Sequence, residues 1–207
     1  PKIPRKRIKS VPRAKHAFCK KIWLLMAFWG QILDIDLSAG IFKISPFPEE
    51  LTWKHLGGRG FNVQYLYANL PPNVDPLGPE NILMISCGLL TGTAAPSSAR
   101  LHINARAPLT GLLGSSNVGG GFGAKLRACG IQSMIIRGQS PEPVYLWIDG
   151  DTVEIRSAKS LWGLDTWQTE EYIKRKLGSD KLKIMTIGPA GENGTLFGCI
   201  MTDRDHA

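Results

Sequence analysis

The sequence predicts an α+β fold made of a duplicated α+β unit, in which two β-sheets pack together and helices flank them in a four-layer sandwich. Segments with period-two alternation of apolar residues lie between segments with helical periodicity. One order of elements occurs twice: hairpin, short Trp-containing segment, helix, strand, glycine-rich turn and strand. Two such units bury one core when their sheets pack face to face. A chance similarity between two generic α+β runs is the alternative.

The first unit begins with a hairpin. Residues 31–37 and 41–45 alternate between apolar and polar side chains, and the turn Ser38-Ala39-Gly40 joins them. Prolines at positions 46 and 48 end this hairpin. The elements predicted after it are helices over 49–56 and 62–70 and strands over 81–87 and 100–105.

A glycine-rich stretch, residues 109–126, follows the first unit. It contains six glycines, two serines and one asparagine, and it leads into a short helix that ends at Gly130 and a strand over 133–137. Glycine loses much backbone entropy on folding and fills no core, so we interpret the stretch as a loop whose backbone approaches an anion such as phosphate. Gly119, Gly121 and Ala124 formally match a dinucleotide fingerprint, but the flanking segments do not form the strand–helix crossover that it needs.

The second unit repeats the order of the first. Strands over 144–148 and 152–156 flank the turn Asp149-Gly150-Asp151, and a Trp-containing segment over 160–163 follows. A helix is predicted over 166–177, because Gly178 is a typical C-terminal stop. The unit is completed by strands over 182–187 and 196–202, joined by a glycine-rich turn.

The positive charge of the chain is concentrated at its N-terminus. The 207 residues carry a formal net charge of +8, but residues 1–25 contain nine Lys or Arg and no Asp or Glu, which leaves 16 basic and 17 acidic residues in 26–207. A near-neutral body argues against a nucleic-acid-binding domain. We predict that residues 1–25 are a disordered basic extension and that 26–207 form the domain. A targeting or surface-binding segment and a nucleic-acid-binding arm are the alternatives.

Neither membrane insertion nor metal binding through cysteines is indicated. The apolar run over 22–29 has eight residues, whereas a bilayer-spanning helix needs roughly 20. Cys19, Cys87, Cys129 and Cys199 are scattered and form no C-x-x-C pair, so we expect reduced thiols in a cytoplasmic protein.

Three polar positions are candidates for ligand binding on their chemistry alone. Arg100 opens a predicted strand beside a Gly/Ser-rich stretch, where a guanidinium group suits a bidentate phosphate contact. Asn117 precedes three glycines, and a carbonyl there could serve a hard cation. The segment 203–206 offers carboxylates and an imidazole for metal binding or acid–base work. An ordinary surface role is the alternative for each, His55 and His102 are interpreted as structural, and no catalytic residue is assigned.

Seven short motifs occur in order between residues 57 and 207. Together they resemble the N-terminal domain of the aldehyde ferredoxin oxidoreductases, a family of tungsten-pterin enzymes. Each motif alone is weak, but seven in order are specific, and the resemblance covers about residues 26–207. The motifs are GGRG at 57–60, DPLGPEN at 75–81, LTGTAAP at 90–96, APLTG at 107–111, NVGGGFGA at 117–124, IGPAGEN at 187–193 and DRDHA at 203–207.

The resemblance implies an enzyme that oxidises aldehydes to carboxylic acids and passes the electrons to ferredoxin. In such enzymes this domain is the base for a tungsten (or molybdenum) bis-pyranopterin cofactor whose phosphates are joined through Mg²⁺. Carried onto this sequence, Arg100 falls at a phosphate-contacting arginine, and Asn117 and Ala207 fall where backbone carbonyls bind Mg²⁺. Gly119 and Gly120 fall on the loop that faces the cofactor.

Two features depart from that family. Position 206 is His where well-known members have an arginine that reaches the cofactor, so a cationic or hydrogen-bonding role is all that carries over to His206. The cysteines for a [4Fe–4S] cluster and much of the substrate pocket are expected beyond Ala207, so we expect the 207-residue chain alone to be inactive. The expected partners are an aldehyde and ferredoxin, with no nucleic acid and no membrane, and a homo-oligomer is left open. The alternative function is a stand-alone module that binds a pterin or phosphorylated ligand without catalysis.

Overall fold

A computed structural model describes residues 30–204 and 206–207. The predictions made for 1–29 and for Asp205 lie outside these residues. The elements in chain order are β1 (Gln31–Asp36), β2 (Ile41–Pro46), α1 (Glu49–His55), α2 (Gly58–Asn69), β3 (Ile82–Cys87), β4 (Leu101–Arg106), β5 (Leu113–Val118), α3 (Phe122–Ala128), β6 (Ile131–Arg137), β7 (Val144–Asp149), β8 (Thr152–Ser157), α4 (Thr166–Leu177), β9 (Met185–Thr186), α5 (Pro189–Glu192) and β10 (Met201–Thr202).

The centre of the fold is a mixed six-stranded sheet. Its strands lie in the order β2-β1-β6-β3-β4-β5. β1 and β6 are parallel, and the other neighbouring pairs are antiparallel. β7 pairs with β8, and β9 pairs with β10, in two further two-stranded sheets. β5 therefore forms one edge of the large sheet.

Helices α1 and α2 pack on one face of the large sheet. Phe61 and Leu66 of α2 belong to one buried cluster with Met84 of β3 and Ile135 of β6, and Leu51 of α1 packs against it. The helix predicted over 62–70 thus begins four residues earlier, at Gly58, and its buried residues are Gly58, Phe61, Asn62 and Leu66.

A buried polar network fixes α2 on the sheet. Asn62, Ser86, Asn104 and Ser133 are at most 1% exposed. The Asn62 Nδ2 group donates to Asn104 Oδ1 at 2.9 Å and to the His102 carbonyl at 3.2 Å, and Ser86 Oγ donates to Asn62 Oδ1. Because these buried polar groups have partners, the network favours one position of the helix without a large desolvation penalty.

The other face of the large sheet packs against the smaller sheets. Leu33 and Leu101 belong to one buried cluster with Val153 of β8, and Ile148 of β7 and Met185 of β9 pack against that cluster. Burial of apolar area between sheet faces is the main term that holds such layers together. The predicted α+β class, with packed sheets and flanking helices, is confirmed. The order of hairpin, helix and two antiparallel strands occurs in both halves, while the duplication itself stays a prediction.

The glycine-rich stretch differs from its prediction, because most of its first half is strand β5 rather than loop. Leu113–Val118 pair with Leu101–Arg106 in antiparallel register, and Asn104 Nδ2 donates to the Gly114 carbonyl at 3.0 Å. An edge strand tolerates glycine and serine, because only one of its sides is paired with a neighbour. The loop predicted over 109–126 is therefore divided into a hairpin tip, an edge strand and a short turn before α3.

The last strands of the second unit are shorter than predicted. β9 and β10 have two residues each, whereas the sequence predicts strands over 182–187 and 196–202. Pro189 begins helix α5 inside the connecting segment, and Leu196 and Phe197 are 46% and 78% exposed. These two apolar side chains therefore do not form the buried face that a longer strand needs.

The described helices and thiols agree with a folded globular domain. Within 30–204 and 206–207, no helix has both the length and the hydropathy needed to cross a bilayer. Cys87, Cys129 and Cys199 have free thiols, and burial raises the pKa of Cys87 to about 12. Because such a thiol stays protonated at neutral pH, Cys87 is a core residue rather than a nucleophile.

Candidate functional site

The pairing of β4 with β5 brings Arg100 next to Asn117. Arg100 directly precedes β4, and the register pairs Leu101 with Val118 and His102 with Asn117. As a result, Arg100 Nη1 donates to the backbone carbonyl of Asn117 at 3.4 Å, and both side chains are exposed. The predicted phosphate-contacting arginine and the predicted metal-binding carbonyl therefore lie together at the sheet edge.

The turn before α3 is bound to the C-terminal segment by a carboxylate. Asp203 Oδ2 accepts the backbone N–H of Gly121 at 2.5 Å and lies 3.3 Å from Lys183 Nζ. The Asp203 side chain is 14% exposed, so its charge is partly shielded from solvent. Thr202 Oγ1 donates to the Gly119 carbonyl at 3.5 Å. These contacts hold the backbone at 119–121 in one conformation against the terminal turn.

Gly120 is required by both its backbone and its surroundings. Its φ of +78° lies in the left-handed region that favours glycine. A Cβ atom at this position would lie 2.7 Å from Asp203 Oδ2 and 2.9 Å from His206 Cδ2. A Cβ on Gly119 would lie 3.9 Å from His206 Nδ1. The structure therefore brings His206, and with it the adjoining Ala207, to the predicted cofactor-facing glycines.

The terminal turn itself contains two residues in an uncommon conformation. Asp203 and Arg204 have φ values of +49° and +66°. The turn is closed by hydrogen bonds from Thr202 N–H to the His206 carbonyl at 2.7 Å and from His206 N–H to the Thr202 carbonyl at 3.1 Å. The Arg204 guanidinium also pairs with the buried Glu170 of α4, with Nε and Oε1 3.2 Å apart. Backbone strain of this kind persists only where the surrounding contacts hold it, and it is concentrated at functional sites.

A second arginine, Arg59, lies in the first turn of α2, close to His102 of the neighbouring strand β4. Burial, followed by the charges of Arg59 and Arg100, lowers the pKa of His102 below its usual value, so this imidazole is neutral at neutral pH. The His102 Nδ1 atom is buried and has no hydrogen-bond partner among the described residues. A Cβ on Gly58 would lie 3.0 Å from His102 Cδ2, which places the first turn of α2 directly beside the ring.

The six residues predicted from the resemblance fall in one region at the end of β5. They are Arg100, Asn117, Gly119, Gly120, His206 and Ala207. The sequence assigns no role to Lys183 or Arg59, and it treats Asp203 only as part of a terminal acidic segment. The GGRG motif at 57–60 is the signal that could have directed attention to Arg59, whereas nothing local marks Lys183.

This arrangement suits a phosphate group and a hard cation. Guanidinium groups bind phosphate oxygens through paired hydrogen bonds, and backbone carbonyls are typical ligands of Mg²⁺ and Ca²⁺. Among residues 30–204 and 206–207, no group of three or more His, Cys, Asp or Glu side chains is placed to hold a metal ion. The role of the Asn117 carbonyl as a cation ligand stays a prediction.

The family comparison covers nearly all of the described residues. The profile described as "Aldehyde ferredoxin oxidoreductase, N-terminal domain" matches residues 32–207. A protein of Thermococcus kodakarensis named tungsten-containing aldehyde ferredoxin oxidoreductase is 46% identical over 179 residues, which are 86% of this chain and 30% of that protein. A protein of Pyrococcus furiosus named aliphatic sulfonate oxidoreductase, WOR-like subunit, is 35% identical over 88% of this chain and 31% of its own length.

A solved structure has the same fold. It is described as the active site complex BamBC of benzoyl coenzyme A reductase in complex with 1,5-dienoyl-CoA, and it superimposes with a TM-score of 0.82. The two sequences are 38% identical, and the match covers 84% of this chain and 26% of the other. The chain spans about 30% of the length of the curated relatives that it matches.

Proposed function

The chain belongs to the aldehyde ferredoxin oxidoreductase family, and we propose that it is the N-terminal, cofactor-binding part of an enzyme that oxidises aldehydes to carboxylic acids with ferredoxin as electron acceptor. The relatives at 40–46% identity carry the name tungsten-containing aldehyde ferredoxin oxidoreductase, which supports a tungsten-pterin cofactor. Two relatives with other names, an aliphatic sulfonate oxidoreductase subunit and a glyceraldehyde-3-phosphate:ferredoxin oxidoreductase, are less similar, at 35% and 28% identity. This difference favours an aldehyde over a sulfonate as the substrate.

The observation that carries this proposal is the contact between Arg100 and the Asn117 carbonyl beside a glycine turn that Asp203 holds in place. It puts an exposed arginine side chain, the Asn117 carbonyl that it contacts and a glycine turn at one sheet edge. Guanidinium groups bind phosphate oxygens and backbone carbonyls bind hard cations, so this combination supports the proposal.

Each residue of the site has a distinct role in the proposal. Arg100 would hold a pterin phosphate, and the backbone carbonyls of Asn117 and Ala207 would hold an accompanying Mg²⁺. Gly119 and Gly120 let the backbone approach the cofactor, and the exposed His206 offers it a hydrogen bond. When bound, the tungsten or molybdenum pterin supplies the two-electron redox chemistry.

The rest of the catalytic apparatus is assigned to other parts of the protein. We place the [4Fe–4S] cluster, most of the substrate pocket and the ferredoxin contact there, so the 207-residue chain alone is expected not to turn over. Purified alone and supplied with an aldehyde and a viologen dye, it should show no aldehyde-dependent dye reduction. Turnover by this chain would contradict the division of roles.

Arg100→Gln in the complete protein tests the proposed function. The variant should contain several-fold less tungsten or molybdenum and pterin than the unchanged protein, because it loses a charge-assisted phosphate contact. Metal content is measured by mass spectrometry and pterin by fluorescence after oxidation. Arg175→Gln, which removes the same charge from an exposed position at the end of α4, is the control. Normal cofactor content and an unchanged melting temperature in the Arg100 variant would refute the assigned role.

A further inference from the structure

We propose that Arg59 and Arg100 form a two-arginine phosphate site, so that Arg59 is a second phosphate-binding residue of this domain. The two residues come from different elements, the first turn of α2 and the residue before β4, and the backbone next to each of them borders His102. The inference rests on the proposed function, in which Arg100 binds a pterin phosphate.

The position of Arg59 is fixed by two glycines. Gly57 forms an isolated antiparallel bridge with Gly88 at the end of β3, and both Gly57 and Gly58 are buried with positive φ values of 67° and 49°. A side chain on Gly58 would collide with His102, since its Cβ would lie 3.0 Å from the ring. The backbone thus passes closely over His102, and Arg59 leaves it at the next residue with an exposed side chain.

The position of Arg100 is fixed by the sheet edge. The Arg100 guanidinium donates a hydrogen bond to the Asn117 carbonyl, and Asn117 is paired with His102 in the β4–β5 register. Adjacent residues in register share a face of the sheet, so Asn117, His102 and the start of α2 lie on the same side. Arg100 is two residues before His102 in the chain, and Arg59 follows Gly58, whose Cα lies against the His102 ring, so both arginines are attached to backbone that borders this imidazole.

Among residues 30–204 and 206–207, no carboxylate balances the charge of this pair. Neither Arg59 nor Arg100 pairs with a carboxylate among the described residues, whereas Arg137, Arg156 and Arg204 each do, at 2.9–3.2 Å. The start of α2 adds to the positive potential, because it has no side-chain cap and no acidic residue in its first turn. Two like charges held together without a counter-charge repel each other, and a bound dianion removes that cost.

The ligand chemistry that fits is a phosphate ester. A guanidinium group donates two parallel hydrogen bonds to phosphate oxygens, so two such groups recognise either one dianion from two sides or two neighbouring phosphates. The second case matches the two phosphates of the proposed cofactor. In this scheme each arginine binds one phosphate, and the Asn117 carbonyl lies next to the cation between them.

Binding of inorganic phosphate and of pyrophosphate with Mg²⁺ to the 207-residue chain tests the inference. Phosphate can also bind to the basic N-terminal residues, and amide chemical shifts distinguish that binding from binding at the proposed site. The titration is therefore followed at the amides of Gly58, Arg59 and His102. Arg59→Gln should raise the dissociation constant at these amides about tenfold, as should Arg100→Gln, because each loses a charge-assisted contact. Arg59→Lys keeps the positive charge but loses the paired N–H donors of the guanidinium group, so its dissociation constant should be intermediate. Arg175→Gln removes the same charge from α4 and should change the dissociation constant less than about twofold.

The outcomes separate this inference from the proposed function. Unchanged phosphate affinity in Arg59→Gln together with weakened affinity in Arg100→Gln would overturn the role of Arg59 and leave the role of Arg100 intact. The absence of saturable shifts at Gly58 and His102 in the unchanged chain would also overturn it. Normal cofactor content of the complete protein carrying Arg100→Gln would instead refute the proposed function. Unchanged amide shifts in β2, at the opposite edge of the large sheet, verify that the variants fold.

Discussion

Two independent factors restrict position 120 to glycine, namely its local backbone conformation and its contacts with the distant terminal turn. Its positive φ excludes most side chains on conformational grounds, and Asp203 and His206 occupy the space that a Cβ would need. Many other glycines in the chain satisfy only the first of these conditions. Gly150, at the tip of the β7–β8 hairpin, has a φ of +55°, but a Cβ atom at this position would have no other atom within 4 Å.

This difference leads to a prediction for two alanine variants. Gly150→Ala should lower the free energy of unfolding by about 1 kcal/mol, the conformational cost of a left-handed alanine. Gly120→Ala should cost about 1–3 kcal/mol more, because the turn must also move away from Asp203 and His206. Both values come from urea unfolding followed by circular dichroism. Equal losses in the two variants would show that the terminal turn does not press on Gly120.

At the scale of single elements, α2 depends on a polar network as well as on its apolar face. Asn62 is fully buried and bonds to Asn104, to Ser86 and to the His102 carbonyl. Asn69, at the end of the same helix, is exposed and bonds only to the Tyr65 carbonyl one turn earlier. The two asparagines therefore differ in environment while sharing a helix.

Asn62→Ala should destabilise the domain by about 2–4 kcal/mol, because it leaves a cavity and several buried polar groups without partners. Asn69→Ala should change stability by less than about 0.5 kcal/mol. Chemical unfolding of both variants gives these values. Since α2 carries Arg59, Asn62→Ala should also weaken phosphate binding at the Gly58 amide. A variant that is destabilised but binds phosphate normally would show that α2 is positioned by other contacts.

The elements also show where reading the sequence succeeds. The β1–β2 and β7–β8 hairpins and helix α4 agree with their predicted bounds to within one residue, because alternation, turn residues and caps are local signals. In α4, the Asp165 carboxylate accepts the Gln168 N–H at 2.7 Å, and Gly178 ends the helix in the left-handed conformation. β5 is missed, because glycines and serines carry no strand pattern and only the pairing with β4 makes a strand of them.

At the scale of the whole molecule, the charge divides into a basic N-terminal segment and a near-neutral remainder. Deleting residues 1–25 removes nine basic and no acidic residues. Any affinity for DNA should therefore disappear, because phosphate neutralisation supplies nearly all non-specific binding. Fluorescence anisotropy with a duplex oligonucleotide at low and moderate salt measures this for both chains. Salt-sensitive binding that survives the deletion would revive a nucleic-acid function for the body.

The fold by itself does not decide the substrate. Proteins named for aldehyde, for aliphatic sulfonate and for benzoyl coenzyme A chemistry share this domain at 35–46% identity. One fold can carry different functional sites, so the shared domain does not select among these reactions. The function proposed for this chain consequently rests on its family and on the phosphate-facing residues rather than on its architecture.

The sequence by itself determined the α+β class, the hairpins, the main helices, the position of the basic segment and the family motifs with their six candidate residues. Only the tertiary structure decided that Arg100 donates to the Asn117 carbonyl and that Asp203 accepts the N–H of Gly121, 82 residues away in the chain. It also decided that Gly58, the residue before Arg59, lies against the His102 ring. The physical reason is the separation along the chain over which each kind of interaction acts. Periodicity, capping and turn chemistry act over a few residues, whereas strand register and contacts between distant segments depend on how the whole core closes.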